Sequence, residues 1–557
     1  MNPDLSLKTV LITVSLSLFG MSTYAQQEYL DYASNALLFS GSSLSGTARY
    51  QGLGGAQTAL GADMGSLGGN PAGIGMYKKS EWSISSALGY AGTSSQFIDN
   101  TTTDGKLNFN IPNVGIVFSG AKIEVSGGKW RGGSFGIGFI RQNSFQNQYS
   151  LDGVNRVSSI LDRFAYDANY RGATVETLRN EYDFQNNTTN SSYDRGATSM
   201  YFNAYLINPF DASGRNNTNG LNNNTYFQFE AEDEPFGTPR SYARQQKTFN
   251  STGSQSQWSL SYGGNYDDRV YFGATLGIAS LRYNYLSKFD ETYFTDNAQH
   301  GKVYRGFTLN QDFGVRGTGV NLNIGVILRA TDFFRVGASV MTPTFYKITE
   351  TYNSSVDMNP FSIPDLDYNG NQKKNAQGNP LFLPNDKITV NTAPRIFEYN
   401  LTTPWRLSGG VAFFIGKSGF LSADVDYLAY DNIKLSGGDA SFKSDFEPAI
   451  RNRYTSVINF RIGGELRHDI FRFRAGIGRQ ANPYQENFRN NLDQSRINLS
   501  LGAGVRLPDF YVDLASTYSR YESANTPYVL PNKPTAYPSA LITNSLTNVV
   551  LTFGTFF

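Results

Sequence analysis

Apolar and polar residues alternate along most of the chain from Trp82 onward. Between Phe471 and Gly478, for example, Phe, Phe, Ala and Ile alternate with Arg, Arg, Gly and Gly. A period of two sends successive side chains to opposite faces of a β-strand. The pattern predicts about fourteen strands, at 82–93, 107–119, 132–146, 253–264, 269–287, 303–329, 334–352, 401–415, 419–434, 451–467, 470–482, 495–506, 510–522 and 544–557.

These strands fit a membrane-spanning barrel better than a soluble β-sandwich, which would show the same alternation. Most have ten or more residues, the length that a tilted strand needs to cross a bilayer, whereas strands of soluble sheets average about five to six. Tight and long connections also alternate, as they do in outer-membrane barrels with short periplasmic turns and long external loops. The tight ones are 330–333, 415–419, 468–469 and 507–509, and the long ones are 95–105, 147–253, 353–400 and 522–543.

The expected fold class is therefore all-β: a transmembrane antiparallel β-barrel of about fourteen strands with an N-terminal plug in the lumen. The barrel is expected to occupy 82–557, with a large external loop at about 147–253. Because the strand number is even, both termini are expected on the periplasmic side.

Two segments precede the first strand. Residues 1–25 are predicted to be a cleaved signal peptide, since Lys8 precedes an apolar run from Val10 to Met21 and small residues lead up to Ala25. Residues 26–81 are predicted to form a lead-in and the plug. The stretch from Gly46 to Met76 is too apolar for a solvated linker, and its many glycines allow tight turns and close backbone approach.

Composition excludes several classes of function. Charged residues make up 17% of the chain and aromatic residues 14%, with 35 tyrosines, which suits interfacial girdles and wet barrel walls. The net charge of +1 gives no basic footprint for nucleic acid. There is no cysteine, and His300 and His468 have no second ligand nearby, so neither a metal site nor a Ser-His-Asp triad is supported. We expect no enzymatic activity and no cofactor.

Several motifs resemble the FadL/TodX family of outer-membrane transporters of hydrophobic compounds. In the plug they are Gly46-x-Ala48-Arg49, Gly52-x-Gly54-Gly55-Ala56, Ala59 and Asn70-Pro71-Ala72, and in the strands Gly319 to Ser339, Thr403 to Phe413, Leu421 to Tyr427 and Leu501 to Ala515. The last strand ends on Phe557 and resembles the assembly signal of outer-membrane barrels.

The resemblance implies passive uptake of hydrophobic small molecules, such as long-chain fatty acids or aromatic hydrocarbons, through the outer membrane of a Gram-negative bacterium. Outer-membrane lipid and a hydrophobic ligand are the implied partners. The alternative is a non-transporting FadL-like subunit of a larger outer-membrane assembly or secretion complex, with other outer-membrane proteins or lipoproteins as partners. The connection between the third and fourth strands is longer than the family would have and slightly favours this alternative.

Three sets of residues are candidates for the functional site. The plug and its gate are predicted to involve Arg49, Gly52, Gly54, Gly55, Asn70, Pro71 and Ala72. In the third strand, Gly136 and Gly138 are expected to face the lumen. A ladder of lumen-facing charges is predicted at Asp424, Asp426, Arg461, Glu465, Arg467, Arg472, Arg474, Arg506 and Asp513.

Each set leaves alternatives open. The charge ladder either neutralises itself and anchors the plug or binds the carboxylate of a ligand, since arginine pairs with both. Asp424 and Asp426 lie two apart on one strand face, where ion pairing with neighbouring arginines is favoured over catalysis. Glycine within a strand marks a bend or a close approach. Gly136 and Gly138 therefore indicate either an inward kink that opens a lateral exit, as the resemblance implies, or clearance for the plug.

Overall fold

The computed structural model describes most of the chain after the predicted signal peptide. The described residues are 31–120, 129–209, 226–228, 243–293, 304–360, 373–382, 386–438, 440–485, 492–532 and 537–557. The predicted signal peptide, the first residues of the lead-in and His300 lie outside them.

Fourteen antiparallel strands form one closed wall, which confirms the predicted fold and strand number. Each strand pairs with the next along the chain, and the last pairs with the first from Glu81 to Gln96. The strands are β1 Glu81–Phe97, β2 Asn100–Ser119, β3 Trp130–Ser144 with Asn147–Asn155, β4 Ala243–Tyr266, β5 Val270–Tyr293, β6 Tyr304–Arg329, β7 Phe334–Met341 with Phe345–Pro360, β8 Ile388–Ala393 with Arg395–Thr402 and Arg406–Ile415, β9 Gly419–Ala429 with Lys434–Ser436, β10 Ser456–His468, β11 Phe471–Gln480, β12 Arg496–Arg506, β13 Phe510–Asn525 and β14 Ala540–Phe556.

The wall has an apolar outer face and a polar, glycine-rich inner face. On β11, Phe473 and Ile477 point outward and are 52% and 50% exposed, whereas Arg474 on the opposite face is 5% exposed. Exposed apolar side chains recur on neighbouring strands and form a band around the barrel, as expected where a wall faces lipid. Among the described residues, no helix is both long and apolar enough to span a membrane.

The faces exchange character beyond this band, on the long-loop side. On β5 and β6, Tyr283 and Phe313 point inward and are buried, while Asn284 and Asp312 point outward. Here the outer face meets water and the inner face meets packed loops. Because the outward residues in this part of a strand are polar, the sequence alone predicts a loop where the strand in fact continues.

Two predicted boundaries are wrong for this reason. A long connection is predicted at 95–105, but β1 and β2 run on to a two-residue turn between Phe97 and Asn100. The large loop predicted at 147–253 extends only from 156 to 242, because Asn147–Asn155 pairs with β4 between Ala243 and Ser251.

Helices from the loops and from the N-terminal part of the chain lie inside the barrel, and all but one of those described pack at its long-loop end. The exception, Ala48–Gly52, packs against β12 and β13. The helices are α1 Tyr32–Ser40, α2 Ala48–Gly52, α3 Ile160–Arg171, α4 Val175–Asn180, α5 Tyr193–Asn203 and α6 Ala440–Arg453. Short strands at Tyr182–Asp183, Thr188–Ser192, Ile207–Pro209 and Tyr226–Gln228 and 3-10 turns at Met64–Leu67, Pro71–Met76 and Tyr430–Asn432 complete the described elements. Phe164 of α3 stacks on Tyr201 of α5 with their ring centroids 3.7 Å apart. Both residues belong to an apolar cluster that includes inward residues of β5 to β9.

The described chain begins and ends at opposite ends of the barrel. Ser80 and Phe557 exchange backbone hydrogen bonds at the tight-turn end. Asp31, however, accepts hydrogen bonds from Arg453 of α6 at 2.7 and 2.8 Å, on the long-loop side. The chain before Asp31 lies outside the described residues, so the expected periplasmic position of both termini stays a prediction. An even strand number fixes only where β1 starts and β14 ends, and the chain before β1 runs along the lumen.

The N-terminal helix is held firmly at that distant end. The centroid of the Tyr32 ring lies 4.9 to 6.0 Å from the ring centroids of Phe397, Tyr399, Phe442 and Phe446. The Tyr32 hydroxyl donates a hydrogen bond to Glu350 at 2.5 Å. Burial raises the pKa of Tyr32 above its ordinary value. Its hydroxyl therefore keeps its proton and remains a donor at physiological pH.

Candidate functional site

The stretch from Gly46 to Tyr77, hereafter the inner segment, lies against the inner face of the wall on all sides. Ala48 donates its backbone N–H to Thr552 of β14 at 2.7 Å, and Met64 lies next to Gly115 of β2. A Cβ atom at certain wall glycines would overlap the segment's backbone. These glycines are Gly263 on β4, Gly273 on β5, Gly337 on β7, Gly463 on β10 and Gly476 on β11.

Asn70 joins the turns of the inner segment to the wall. Its side-chain amide donates to the carbonyls of Thr58 at 2.8 Å and Val326 at 3.1 Å, and its oxygen accepts from the N–H of Ala72. Pro71 follows as the first residue of the 3-10 turn, where its missing N–H costs nothing. Ala72 is fully buried against Tyr271 of β5 and Ile327 of β6.

The glycines of the predicted plug serve backbone geometry. Gly54 and Gly55 have φ values of +63° and +82°, which side chains rarely adopt. A Cβ atom on Gly54 would lie 3.1 Å from the backbone nitrogen of Ile477, so the turn packs directly on β11. A Cβ atom on Gly52 would lie 3.4 Å from the Cα atom of Gly502 on β12.

Asp424 and Asp426 have separate partners and do not act as a carboxylate pair. Asp424 accepts from the backbone N–H groups of Gln57 and Thr58 and from the Thr58 hydroxyl, at 2.7, 2.8 and 2.8 Å. Asp426 pairs with Arg406 at 2.7 Å and with Arg461 at 2.6 Å. Asp424 therefore holds the inner segment, and Asp426 is neutralised within the wall.

A second group of charges is centred on Glu465. Its carboxylate pairs with Arg467 and Arg474 at 2.7 Å each and with Arg49 of the inner segment at 3.6 Å. Arg474 also reaches Asp513 at 2.6 Å, and Arg49 reaches Asp63 at 3.9 Å. This group links β10, β11 and β13 to the inner segment.

The two groups balance in charge. Five carboxylates, Asp63, Asp424, Asp426, Glu465 and Asp513, stand with five guanidinium groups, Arg49, Arg406, Arg461, Arg467 and Arg474. A buried charge is costly without a partner, and none of these arginines is left over for a ligand. The geometry therefore favours neutralisation and anchoring over a carboxylate-binding site. Arg406 and Asp63 belong to these groups but are absent from the predicted ladder. Arg406 had a signal in the sequence, because Leu407, Val411 and Phe413 alternate with it and place it on the lumen face. Asp63 had none, because it lies in the inner segment, where no strand alternation applies.

Two predicted members of the ladder lie elsewhere. Arg472 donates to the carbonyls of Asp469 and Phe471 in the tight turn before β11. Arg506 lies over the rings of Tyr511 and Phe556, at 5.4 and 4.8 Å. Both sit at the rim beside the tight turns, where water can solvate them, so neither needs a carboxylate partner.

Gly136 and Gly138 provide clearance for the inner segment. Their inner faces meet Leu67, which a Cβ atom on Gly136 would approach to 2.9 Å. Strand β3 pairs regularly with β2 through both glycines, from Ser134 to Ile140. Of the two alternatives left open by the sequence, this geometry favours clearance for the inner segment over an inward kink at these two residues.

The pairing between β2 and β3 ends at Asn113 and Ile140, two residues beyond Gly138 along β3, and a break between the two strands begins there. Above Asn113, β2 has no ladder partner in β3, although its other edge stays paired with β1 up to Asn100. The pairing of β3 with β4 shifts register between Arg141 and Asn143. Beyond that shift, Asn147–Asn155 has no backbone ladder with β1 or β2 and is joined to them by side-chain hydrogen bonds. Thr93 of β1, for example, donates its hydroxyl to the Gln148 carbonyl. Sequence reasoning missed this position, although Pro112, which has no backbone N–H to donate, directly precedes Asn113 on β2.

Two pockets lie beside the break. A cavity of about 130 Å³ lies between Ser40–Gly46 and the wall, and its lining includes the amides of Gln142, Gln255, Asn459, Gln480 and Asn498. A smaller pocket opens at the free edge of β2, lined by Lys106, Asn108, Asn110, Ser144, Gln146 and Asn548. Ser43, Leu44, Ser45 and Arg141 line both. The cavity of about 130 Å³ is hereafter the central cavity and the smaller pocket is the lateral pocket. These four residues therefore form the partition between them.

No protein-family model matches this chain, and no curated protein sequence matches it. Among solved structures it is similar to the toluene transporter TodX of Pseudomonas putida, with 11% identity over 92% of this chain and 99% of that one and a TM-score of 0.47. It is also similar to a FadL homologue of Pseudomonas aeruginosa (12% identity, 92% and 99% covered, TM-score 0.49). A third is the toluene transporter TbuX of Ralstonia pickettii (13% identity, 92% and 99% covered, TM-score 0.43). They come from the family that the sequence motifs resemble.

Proposed function

We propose that this protein is an outer-membrane channel through which small molecules pass passively from the long-loop side into the bilayer. The observation that carries the proposal is the unpaired edge of β2 above Asn113, which lies next to a lateral pocket. Backbone groups that face hydrocarbon need partners. An open strand edge within a barrel wall is therefore expected only where it borders a passage.

The inner segment makes a lateral route more plausible than a straight one. It is tied to the wall by the Asp424 carboxylate, by the ion pairs of Arg49 and by the Asn70 amide. Moving it toward the tight-turn end would break all of these contacts together. Leaving through the break requires a shift only of Ser43–Ser45 and Arg141, the partition between the two pockets.

The cargo that fits is a hydrophobic molecule with a polar group, such as a long-chain fatty acid. Amide and hydroxyl groups recur in the lining on both sides of the partition, and Arg141 and Lys106 add positive charge there. On the lipid side, Leu107 and Phe109 of β2 are 70% and 66% exposed. A polar head would follow the lining while an apolar tail enters the membrane, so a pure hydrocarbon fits less well.

The test is uptake of radiolabelled oleate by cells that lack their own fatty-acid channel and express this chain. Asn110→Trp, which narrows the lateral pocket, should reduce uptake about tenfold or more, as loss of a single passage would. Thr547→Trp, on the outer face of β14, is the matched control and should leave uptake unchanged. Uptake no higher than in cells without the protein would refute the proposal.

The alternative, a subunit of a larger outer-membrane complex, has one observation in its favour. Helices α1, α3, α5 and α6 and inward strand residues fill the long-loop end with an apolar cluster. A filled entrance suits a scaffold better than a channel. Mild-detergent purification followed by native mass measurement separates the two: a stoichiometric protein partner supports the subunit, and a lone barrel with bound amphiphile supports the channel.

A further inference from the structure

Two arginines stand directly opposite each other on the outer face of the barrel. Arg282 of β5 pairs in register with Arg316 of β6, and both side chains are exposed. Directly opposed residues have Cβ atoms about 5 Å apart, and like charges in that position destabilise a sheet. Within the described part of the chain, neither guanidinium group forms an ion pair or a hydrogen bond with the protein. An opposed pair without a counter-charge requires an explanation.

The surroundings add positive charge and hydroxyl groups. Ser254 of β4 lies opposite Arg282, and Thr349 of β7 lies opposite Arg316. One row closer to the tight turns, Ser280 faces Thr318, which in turn faces Lys347 of β7. Arginine, lysine and hydroxyl groups together are the donors that recognise phosphate oxygens.

Acidic groups near this patch do not cancel its charge. Glu398 of β8 lies opposite Thr349 and pairs with Lys347 at 3.2 Å. Asp312 lies four residues beyond Arg316 on the same strand face, farther from the membrane. The three cations Arg282, Arg316 and Lys347 therefore outnumber the one close carboxylate, that of Glu398, and the patch keeps a net positive charge.

The patch lies just above the apolar band. Ile278 and Val320, opposite each other and 48% and 50% exposed, are four residues from the arginines on their strands. At a rise of about 3.4 Å per residue and the usual strand tilt, this is a height of roughly 10 Å. An arginine side chain reaches back over part of that height, which places its guanidinium group in the headgroup layer above the apolar band.

We propose that Arg282, Arg316 and Lys347 form a binding site for the phosphate of a phosphorylated glycolipid in the outer leaflet. A phosphate between the two guanidinium groups accepts bidentate hydrogen bonds from each and removes their repulsion. Clusters of basic residues at the membrane surface attract anionic headgroups. The proposal rests on the outer-membrane location proposed above but is independent of whether the protein transports anything.

The opposed arginines give this proposal a characteristic signature, which is a change of sign. Without an anionic lipid, Arg316→Ala should raise the thermal stability of the barrel because it removes a like-charge pair. With the phosphorylated lipid present, the same substitution should lower stability because the bound phosphate loses a partner. A merely structural role for the arginine would not reverse with the lipid.

The experiment uses the full-length chain, purified in a neutral detergent, with binding followed by native mass spectrometry and by thermal unfolding. The probes are a diphosphorylated glycolipid, its dephosphorylated form and inorganic phosphate. The variants are Arg282→Ala/Arg316→Ala, Arg316→Ala alone and Arg520→Ala. Arg520 is the matched control because it is also exposed on the outer face, of β13, but lies opposite Ile497 and Ser545.

Two results are expected. The double variant should bind the phosphorylated glycolipid about thirtyfold more weakly than the unmodified chain, at roughly fivefold for each arginine, and Arg520→Ala should bind it normally. Equal binding by the unmodified chain and the double variant would overturn the proposal. So would equal binding of the two glycolipid forms, or a site that inorganic phosphate fills as tightly as the lipid does. Capture of an acidic protein segment in place of lipid at this patch would also overturn it.

Discussion

The carboxylate of Asp424, on the inner face of β9, accepts hydrogen bonds from both the backbone N–H and the hydroxyl of Thr58, each at 2.8 Å. The N–H of Gln57 donates to the same oxygen at 2.7 Å. One wall residue thus satisfies three donors of the inner segment at a point where Asp424 is 2% exposed.

Replacing Asp424 should loosen the inner segment. Asp424→Ala leaves three buried donors without an acceptor and should lower the free energy of unfolding by about 3 kcal/mol, as expected for hydrogen bonds to a charged group. Urea titration of the purified barrel in detergent measures this change. Asp332→Ala, at a turn residue that is 94% exposed, is the control and should have no measurable effect. Equal stability of both variants would contradict the assigned role of Asp424.

Removing Arg474 should be among the most damaging single changes in the wall. This side chain bridges Glu465 and Asp513 and is 5% exposed. Arg474→Met leaves uncompensated buried charge and should cost about 3–5 kcal/mol. Adding Asp513→Asn to that variant should recover part of the loss, because it removes one of the stranded charges. No recovery in urea unfolding would show that packing, not charge, sets the effect.

The fit between β3 and the inner segment can be tested by a compensating pair. A Cβ atom on Gly136 would meet Leu67 at 2.9 Å, and Gly138 is at least as close to the same side chain. Gly138→Ala should therefore destabilise the folded barrel by about 1–3 kcal/mol, the usual cost of overpacking.

Leu67→Ala on the Gly138→Ala background should restore much of the stability, since it removes the opposing methyl groups. Gly409→Ala is the control, because a Cβ atom there meets only Val425 at an ordinary 3.7 Å. Thermal unfolding in detergent is the measurement. A Gly138→Ala barrel as stable as Gly409→Ala would mean that Leu67 does not press on β3.

Orientation can be tested with two matched glycines. Gly378 in a long loop and Gly416 in a tight turn both have a positive φ. A Cβ atom on either glycine would have no neighbouring atom within 4 Å. An epitope inserted after Gly378 should bind antibody on intact cells, whereas one after Gly416 should bind only after the outer membrane is permeabilised. The opposite pattern would reverse the proposed topology.

The sequence alone determines the wall of this protein. The alternation at Phe471 to Gly478 and along the other strands depends only on a strand having one face toward lipid and one toward the lumen, which is a local property with a period of two. It predicts the fourteen strands and, apart from the two-residue turn between β1 and β2, the long connections at one end of the barrel. The small residues from Gly46 to Met76 also predict close packing, since only glycine allows such backbone contacts as that between Gly54 and β11.

The tertiary structure alone decides what meets inside the wall. Arg406 pairs with Asp426, and Arg49 with Glu465, because strand register and the path of the inner segment bring them together, and neither is readable from spacing along the chain. The pairing between β2 and β3 ends at Asn113 and Ile140 rather than at Gly136 and Gly138, because it depends on where the second half of β3 packs. Beyond the apolar band, water outside and packed loops inside invert the pattern at Tyr283 and Phe313. Local sequence cannot show which solvent a strand face will meet, and that is why the strand ends and the direction of the N-terminal helix required the folded chain.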